Sequence, residues 1–152
     1  MMLVFVMRHG EATSFSVKDS DRELTDHGRK EVASIIQRCA SSFATVDEIW
    51  ASPYTRTQQT AALVSVAINK KITTCNFLTP TKNPDKILKM LAVANKTILL
   101  VSHQPLVGTL VDKLADLEPG RYRMSTAAIA CIESELFTMG NGELAWLYQP
   151  EN

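Results

Sequence analysis

Leu3-Val4-Phe5-Val6-Met7-Arg8-His9-Gly10 is the stretch on which the fold turns: five apolar residues run without a polar break and stop at an arginine, a histidine and a glycine. Such a run, bounded by a polar turn, predicts a strand buried on both faces. It is too short for the apolar segment of a signal peptide and has no basic residue before it. The pattern returns twice. Residues 47–52 form a second strand that meets Pro53-Tyr54-Thr55-Arg56, and residues 97–101 form a third that stops at Ser102-His103-Gln104-Pro105.

Helical periodicity follows each of these turns. Val32, Ile35, Ile36, Cys39 and Phe43 line one face of a helix that Thr25 or Asp26 could cap, with Lys30, Glu31, Gln37 and Arg38 on the solvent side. Pro53 suits the first turn of a helix reaching about Ile68, and a third helix over 85–93 would bury Ile87, Leu88 and Leu91. Leu106, Val107, Leu110, Val111 and Leu114 mark a fourth. Residues 72–77 predict a short strand. Residues 127–133 and 143–148 predict an antiparallel pair with Asn141-Gly142 as its hairpin turn.

Strands alternating with helices define an α/β protein, a three-layer α/β/α sandwich with a mostly parallel sheet and an antiparallel C-terminal hairpin. At 152 residues one domain over 1–152 is expected. Ligands of such sheets bind beyond the carboxyl ends of the strands. That rule gathers Arg8, His9, Arg56 and His103.

Sixteen basic residues balance sixteen acidic ones, so the chain lacks the basic excess of a nucleic-acid binder, and any anion site must be local. No stretch approaches the roughly 20 apolar residues that span a bilayer. Cys39, Cys75 and Cys131 are odd in number and far apart, which reads as reduced core cysteines in a cytoplasmic protein. Neither a metal nor another cofactor is expected, since His9 and His103 have no carboxylate or cysteine at ligand spacing.

Four segments carry a resemblance: Arg8-His9-Gly10; Arg22 with Leu24-Thr25 and Gly28; Ser52-Pro53-Tyr54-Thr55-Arg56 with Gln59-Thr60; and Ser102-His103-Gln104-Pro105-Leu106-Val107-Gly108. Together they resemble the histidine phosphatase superfamily, with its phosphoglycerate mutase-like fold. The short length and the last segment are most similar to its SixA-type protein-phosphohistidine phosphatases. The resemblance implies a catalytic His9 with Arg8, Arg56 and His103, and a phosphate pocket of Arg8, Arg22, Arg56 and His103. Arg22 owes its place chiefly to the resemblance.

Those residue types suit phosphoryl transfer on physical grounds. The transferred group spreads negative charge over three oxygens, which planar guanidiniums can hold two at a time. His9 must stay neutral to attack phosphorus, so positive neighbours should lower its pKa, and a hydrogen bond to its other nitrogen should fix the tautomer. Phosphate binding would favour a protonated His103. His27 reads as an exposed histidine, Glu11 as a loop carboxylate, and Ser52 and Ser102 as residues that order their turns.

No convincing general acid stands mid-chain. Asp85 alone is available there and reads better as a first-turn helix residue. A departing imidazole needs no enzyme acid, since it is protonated on its other nitrogen near neutral pH. The expected substrate is therefore a phosphohistidine on a protein, such as a histidine-phosphotransfer domain, acted on by a monomer. A general small-molecule phosphomonoesterase, with Asp85 or water as proton source, and a non-catalytic phosphate-binding module are the alternatives.

Overall fold

The computed structural model describes residues 2–135 and 140–150. β1 (Met2–Arg8), β2 (Glu48–Ala51), β3 (Ile72–Thr74), β4 (Ile98–Ser102), β5 (Ile129–Ser134) and β6 (Glu143–Tyr148) form one sheet in the order β3-β2-β4-β1-β5-β6. β1 to β4 run parallel, whereas β5 is antiparallel to both β1 and β6. Val4 sits opposite Ile98, and Met7 opposite Val101. The register therefore sets Arg8 beside Ser102 and brings the two strand-end histidines to one edge of the sheet.

Because successive side chains point to opposite faces, each central strand feeds two cores. Phe5, Met7, Leu99 and Val101 pack with Val32 and Ile35 of α1 (Asp26–Arg38), Phe43 of α2 (Ala40–Phe43), and Ala61 and Val64 of α3 (Thr55–Ile68). Val4, Val6, Ile98 and Leu100 pack with Ile87 and Leu91 of α4 (Pro84–Ala94), and with Leu110 and Val111 of α5 (Leu106–Leu114). The three layers are those read from the sequence, and all five residues of β4 are buried.

Several local expectations are corrected. The first helix does not continue to Phe43: Cys39 leaves the helical path at φ −99°, ψ 11°, and Phe43 is buried from the separate α2. Pro53 precedes α3 rather than entering it. Tyr54 is still extended there, and its N–H is held by Ser52 Oγ at 3.2 Å. The strand expected over 72–77 stops at Thr74, and a 3₁₀ turn, Asn76–Leu78, takes over and buries Leu78.

β5 and β6 are antiparallel as expected, and of the residues 135–142 that join them 136–139 lie outside the described residues. Gly142 answers to packing. Its N–H donates to Leu114 O at 2.8 Å, and a Cβ there would meet Ile132 Cγ2 at 2.5 Å.

Thr25 is the cap of α1, its hydroxyl oxygen accepting Gly28 N–H at 2.9 Å. Glu31, expected on the solvent face, is buried, because its carboxylate is claimed by Glu11 N–H at 2.9 Å and by the Thr126 hydroxyl at 2.9 Å. The three cysteines are free and buried, and burial pushes the thiols of Cys39 and Cys75 up to about 11 and that of Cys131 to about 12. No helix among the described residues is long and apolar enough to cross a membrane.

Candidate active site

β1 ends in Arg8, and the next two residues turn away over the sheet edge. The turn is fixed by backbone bonds on both sides: His9 N–H donates to Ser102 O at 3.1 Å, and His9 O accepts Ala127 N–H at 2.8 Å. Gly10 N–H donates to Thr60 Oγ1 at 3.1 Å, which ties the turn to α3. Glycine is required at this point because a Cβ on residue 10 would lie 2.7 Å from Gly28 O and 2.9 Å from Val32 Cγ2. Gly28 is tighter still, with a Cβ falling 2.1 Å from Glu11 O. The two glycines let the turn press directly on the first turn of α1.

His9, Arg56 and His103 are nearly or wholly enclosed, at 6%, 4% and 1% exposure. His9 Nδ1 lies 2.6 Å from Gly10 O. A carbonyl only accepts, so Nδ1 carries the proton and Nε2 holds a lone pair. That lone pair receives Arg56 Nε–H at 3.3 Å. The ring is held neutral, its pKa lowered to about 4, first by burial and then by Arg56, Arg8 and Arg22, against the opposing effect of the Gly10 hydrogen bond. The direction matches expectation, but burial outweighs the guanidiniums that the sequence suggested as the cause.

His103 packs edge-on to His9 with ring centroids 5.3 Å apart, and Tyr54 covers its other side at 4.9 Å. Its Nε2 meets Ser52 Oγ at 2.8 Å. Burial is the largest of the causes that bring its pKa down to about 3, followed by His9 and Arg56, so it is neutral when no anion is bound. Arg8 donates from Nη1 to Met124 O at 3.1 Å, and burial also lowers its pKa.

Among the described residues only three buried side-chain polar atoms lack a partner, and two of them, Arg8 Nε and His103 Nδ1, belong to this cluster. Buried polar groups are almost always satisfied, so a pair of orphans at one place marks a site built for a ligand.

Arg22 reaches the cluster from the loop between β1 and α1. Its Nε donates to Thr13 O at 2.6 Å and its Nη1 to Asp19 Oδ1 at 3.0 Å. Asp19 Oδ2 in turn accepts Arg56 Nη2 at 3.2 Å. Gln59 of α3 clamps the end of this loop, accepting Leu24 N–H at 2.8 Å and donating to Glu23 at 3.1 Å. The Gln59-Thr60 pair thus anchors both the Arg22 loop and the His9 turn.

The structure therefore brings together all five residues expected from the sequence. Asp19, Glu31 and the 124–127 segment were missed, since a loop aspartate and a main-chain carbonyl carry no sequence signal. His27 is more than half exposed and faces Glu31 at 3.7 Å. Asp85 sits in the first turn of α4, where it pairs with Lys113 at 3.7 Å. Among the described residues no group of three or more His, Cys, Asp or Glu is placed to hold a metal ion.

An enclosed neutral imidazole with its lone pair facing a guanidinium, ringed by further cation donors, is equipped to receive a phosphoryl group. A profile of the Histidine phosphatase superfamily (branch 1) matches residues 4–79. This chain belongs to that superfamily. Phosphohistidine phosphatase SixA of Escherichia coli (strain K12) is 33% identical over 159 residues, covering 99% of this chain and 96% of that protein. The SixA homolog of Haemophilus influenzae is 33% identical over 126 residues, covering 74% and 77%. A solved structure of the protein histidine phosphatase SixA complexed with tungstate superposes with a TM-score of 0.89 at 30% identity, covering 98% of this chain and 97% of that one.

Proposed function

We propose that this chain is a protein-phosphohistidine phosphatase that works through a covalent phospho-His9 intermediate, with Arg8, Arg22, Arg56 and His103 holding the phosphoryl oxygens. The observation that carries the reading is the His9 ring itself, protonated on Nδ1 by virtue of Gly10 O and presenting the Nε2 lone pair at the Arg56 guanidinium. The likeness to SixA phosphatases over nearly the full length supports the same assignment.

In the first step the Nε2 lone pair attacks phosphorus. The P–N bond to the substrate imidazole breaks, and its electron pair stays with the departing ring, which leaves neutral because its other nitrogen is protonated. Water then adds to phosphorus, the P–N bond to His9 breaks, the pair returns to Nε2, and phosphate leaves as H2PO4⁻. The arginines spread the charge of the transferring group in both steps.

The state of Asp19 favours a phosphohistidine over a phosphate ester. This carboxylate reaches the site, but Arg22 and then Arg56 hold it below the usual carboxylate range. It is ionised at neutral pH and has no proton to give an alkoxide. All five side chains come from one chain, so a monomer suffices, within a single domain. Three buried free cysteines fit a reducing cytoplasm.

A substrate panel tests the assignment. Purified protein should dephosphorylate a phosphohistidine domain far faster than phosphoserine or sugar phosphates, and the reverse ranking would overturn it.

A further inference from the structure

Arg56 offers five N–H donors, and the two ends of its guanidinium are engaged differently. Its Nε edge points at His9 Nε2. Its outer edge is gripped by one residue: Nη1 donates to Asp19 O at 2.8 Å, and Nη2 to Asp19 Oδ2 at 3.2 Å. The second carboxylate oxygen of Asp19 takes Arg22 Nη1 at 3.0 Å, and Asp19 O also accepts Arg22 N–H at 3.2 Å. One aspartate therefore bridges an arginine on the loop to an arginine on α3, using its main-chain carbonyl and both side-chain oxygens.

We propose that Asp19 is a positioning residue for phosphoryl transfer, which sets the guanidiniums of Arg22 and Arg56 relative to each other and to His9. A guanidinium is planar, so fixing its outer edge also fixes where its Nε–H points. Arg22 has its Nε on Thr13 O and one N–H of Nη1 on Asp19, which leaves Nη2 for a phosphoryl oxygen. Without Asp19, Arg22 keeps only Thr13, and the outer edge of Arg56 loses its carboxylate. The side chain of Asp19 is largely exposed, so its burial adds little to the core, and its bonds are all to these two arginines.

This inference rests on the reading of His9 as the nucleophile, and the two fail separately. Wild-type protein that takes no phosphate onto His9 from a small phosphodonor such as phosphoramidate refutes that reading. If wild-type labels, Asp19 is tested by Asp19→Ala and Asp19→Asn, with orthovanadate as the probe of the pocket. We expect Asp19→Ala to cut kcat/KM on phosphoramidate tenfold or more and to weaken vanadate binding about tenfold, with the melting temperature unchanged within error. Asp19→Asn should fall between, and Asp19→Glu should recover part of the loss. Unchanged kcat/KM in both variants overturns the proposal. Tighter vanadate binding also overturns it, since that is what a carboxylate competing with the substrate for the arginines would give.

Discussion

His103 Nε2 lies 2.8 Å from Ser52 Oγ, and the same oxygen accepts Tyr54 N–H at 3.2 Å. Ser52 is fully buried and its hydroxyl proton needs an acceptor; His103 Nε2 is the one it meets among the described residues, so the hydroxyl donates to Nε2 while accepting Tyr54 N–H. The neutral ring then carries its hydrogen on Nδ1, the atom left without a partner. Ser52 thereby converts His103 into a donor at the site before any proton is taken up.

Ser52→Ala should release that tautomer and leave Nε2 unsatisfied in a buried place, at about 1–3 kcal/mol of stability. We expect kcat to fall about tenfold, and the nitrogen-15 shifts of His103 to move from a fixed to a mixed tautomer. Unchanged shifts would show that Ser52 does not set the ring.

The two buried histidines give stability a distinctive pH dependence. Their folded values, about 4 for His9 and about 3 for His103, lie below the ordinary 6.5, so between those limits the unfolded chain binds more protons. Their contribution is complete above pH 6.5 and is lost as pH falls through the folded values. For His9 alone the loss is on the order of 3 kcal/mol. Urea unfolding followed from pH 7 to pH 4 should show a falling midpoint, and His9→Gln should reduce the slope of that fall. An equal slope in the variant would contradict the burial of a neutral His9.

Gly28→Ala tests how closely the His9 turn rests on α1. The added Cβ would collide with Glu11 backbone, which cannot rotate aside as a side chain can. Loss of at least 1–3 kcal/mol is expected from such overpacking. Chemical denaturation would measure it, and a neutral substitution would mean the turn has room to retreat.

Much of this site was legible because strand ends announce themselves. A buried apolar run that halts at Arg8-His9, and another at Ser102-His103, needed only the rule that parallel sheets bind ligands at their carboxyl ends. Glu31 shows how residue type can mislead: its charge reads as solvent-facing, yet it shares the buried face of α1 with Gly28, Val32 and Ile35, where Glu11 N–H and Thr126 satisfy its carboxylate. Asp19 was invisible for a different reason, since its role depends on Arg22 and Arg56 meeting across 33 residues of intervening chain. The antiparallel β5–β6 pair was legible too, but not the role of Gly142, which meets a packing demand against Ile132 and not a demand for positive φ.

Phe15 and Val17 stand 85% and 96% exposed on the loop that also carries Asp19 and Arg22. Under the proposed function, apolar side chains so placed are available to contact a protein that presents a phosphohistidine to the pocket. Replacing both with serine should raise KM for a phosphohistidine domain several-fold and leave turnover of phosphoramidate unchanged. An equal effect on both substrates would show that the loop acts on the chemistry and not on docking.

The most direct test of the central claim is to trap the intermediate. Brief incubation with a phosphodonor followed by rapid denaturation should leave acid-labile, base-stable phosphate on His9, and His9→Ala should carry none. Label found on another residue, or turnover that continues in His9→Ala, would contradict the covalent role given to His9.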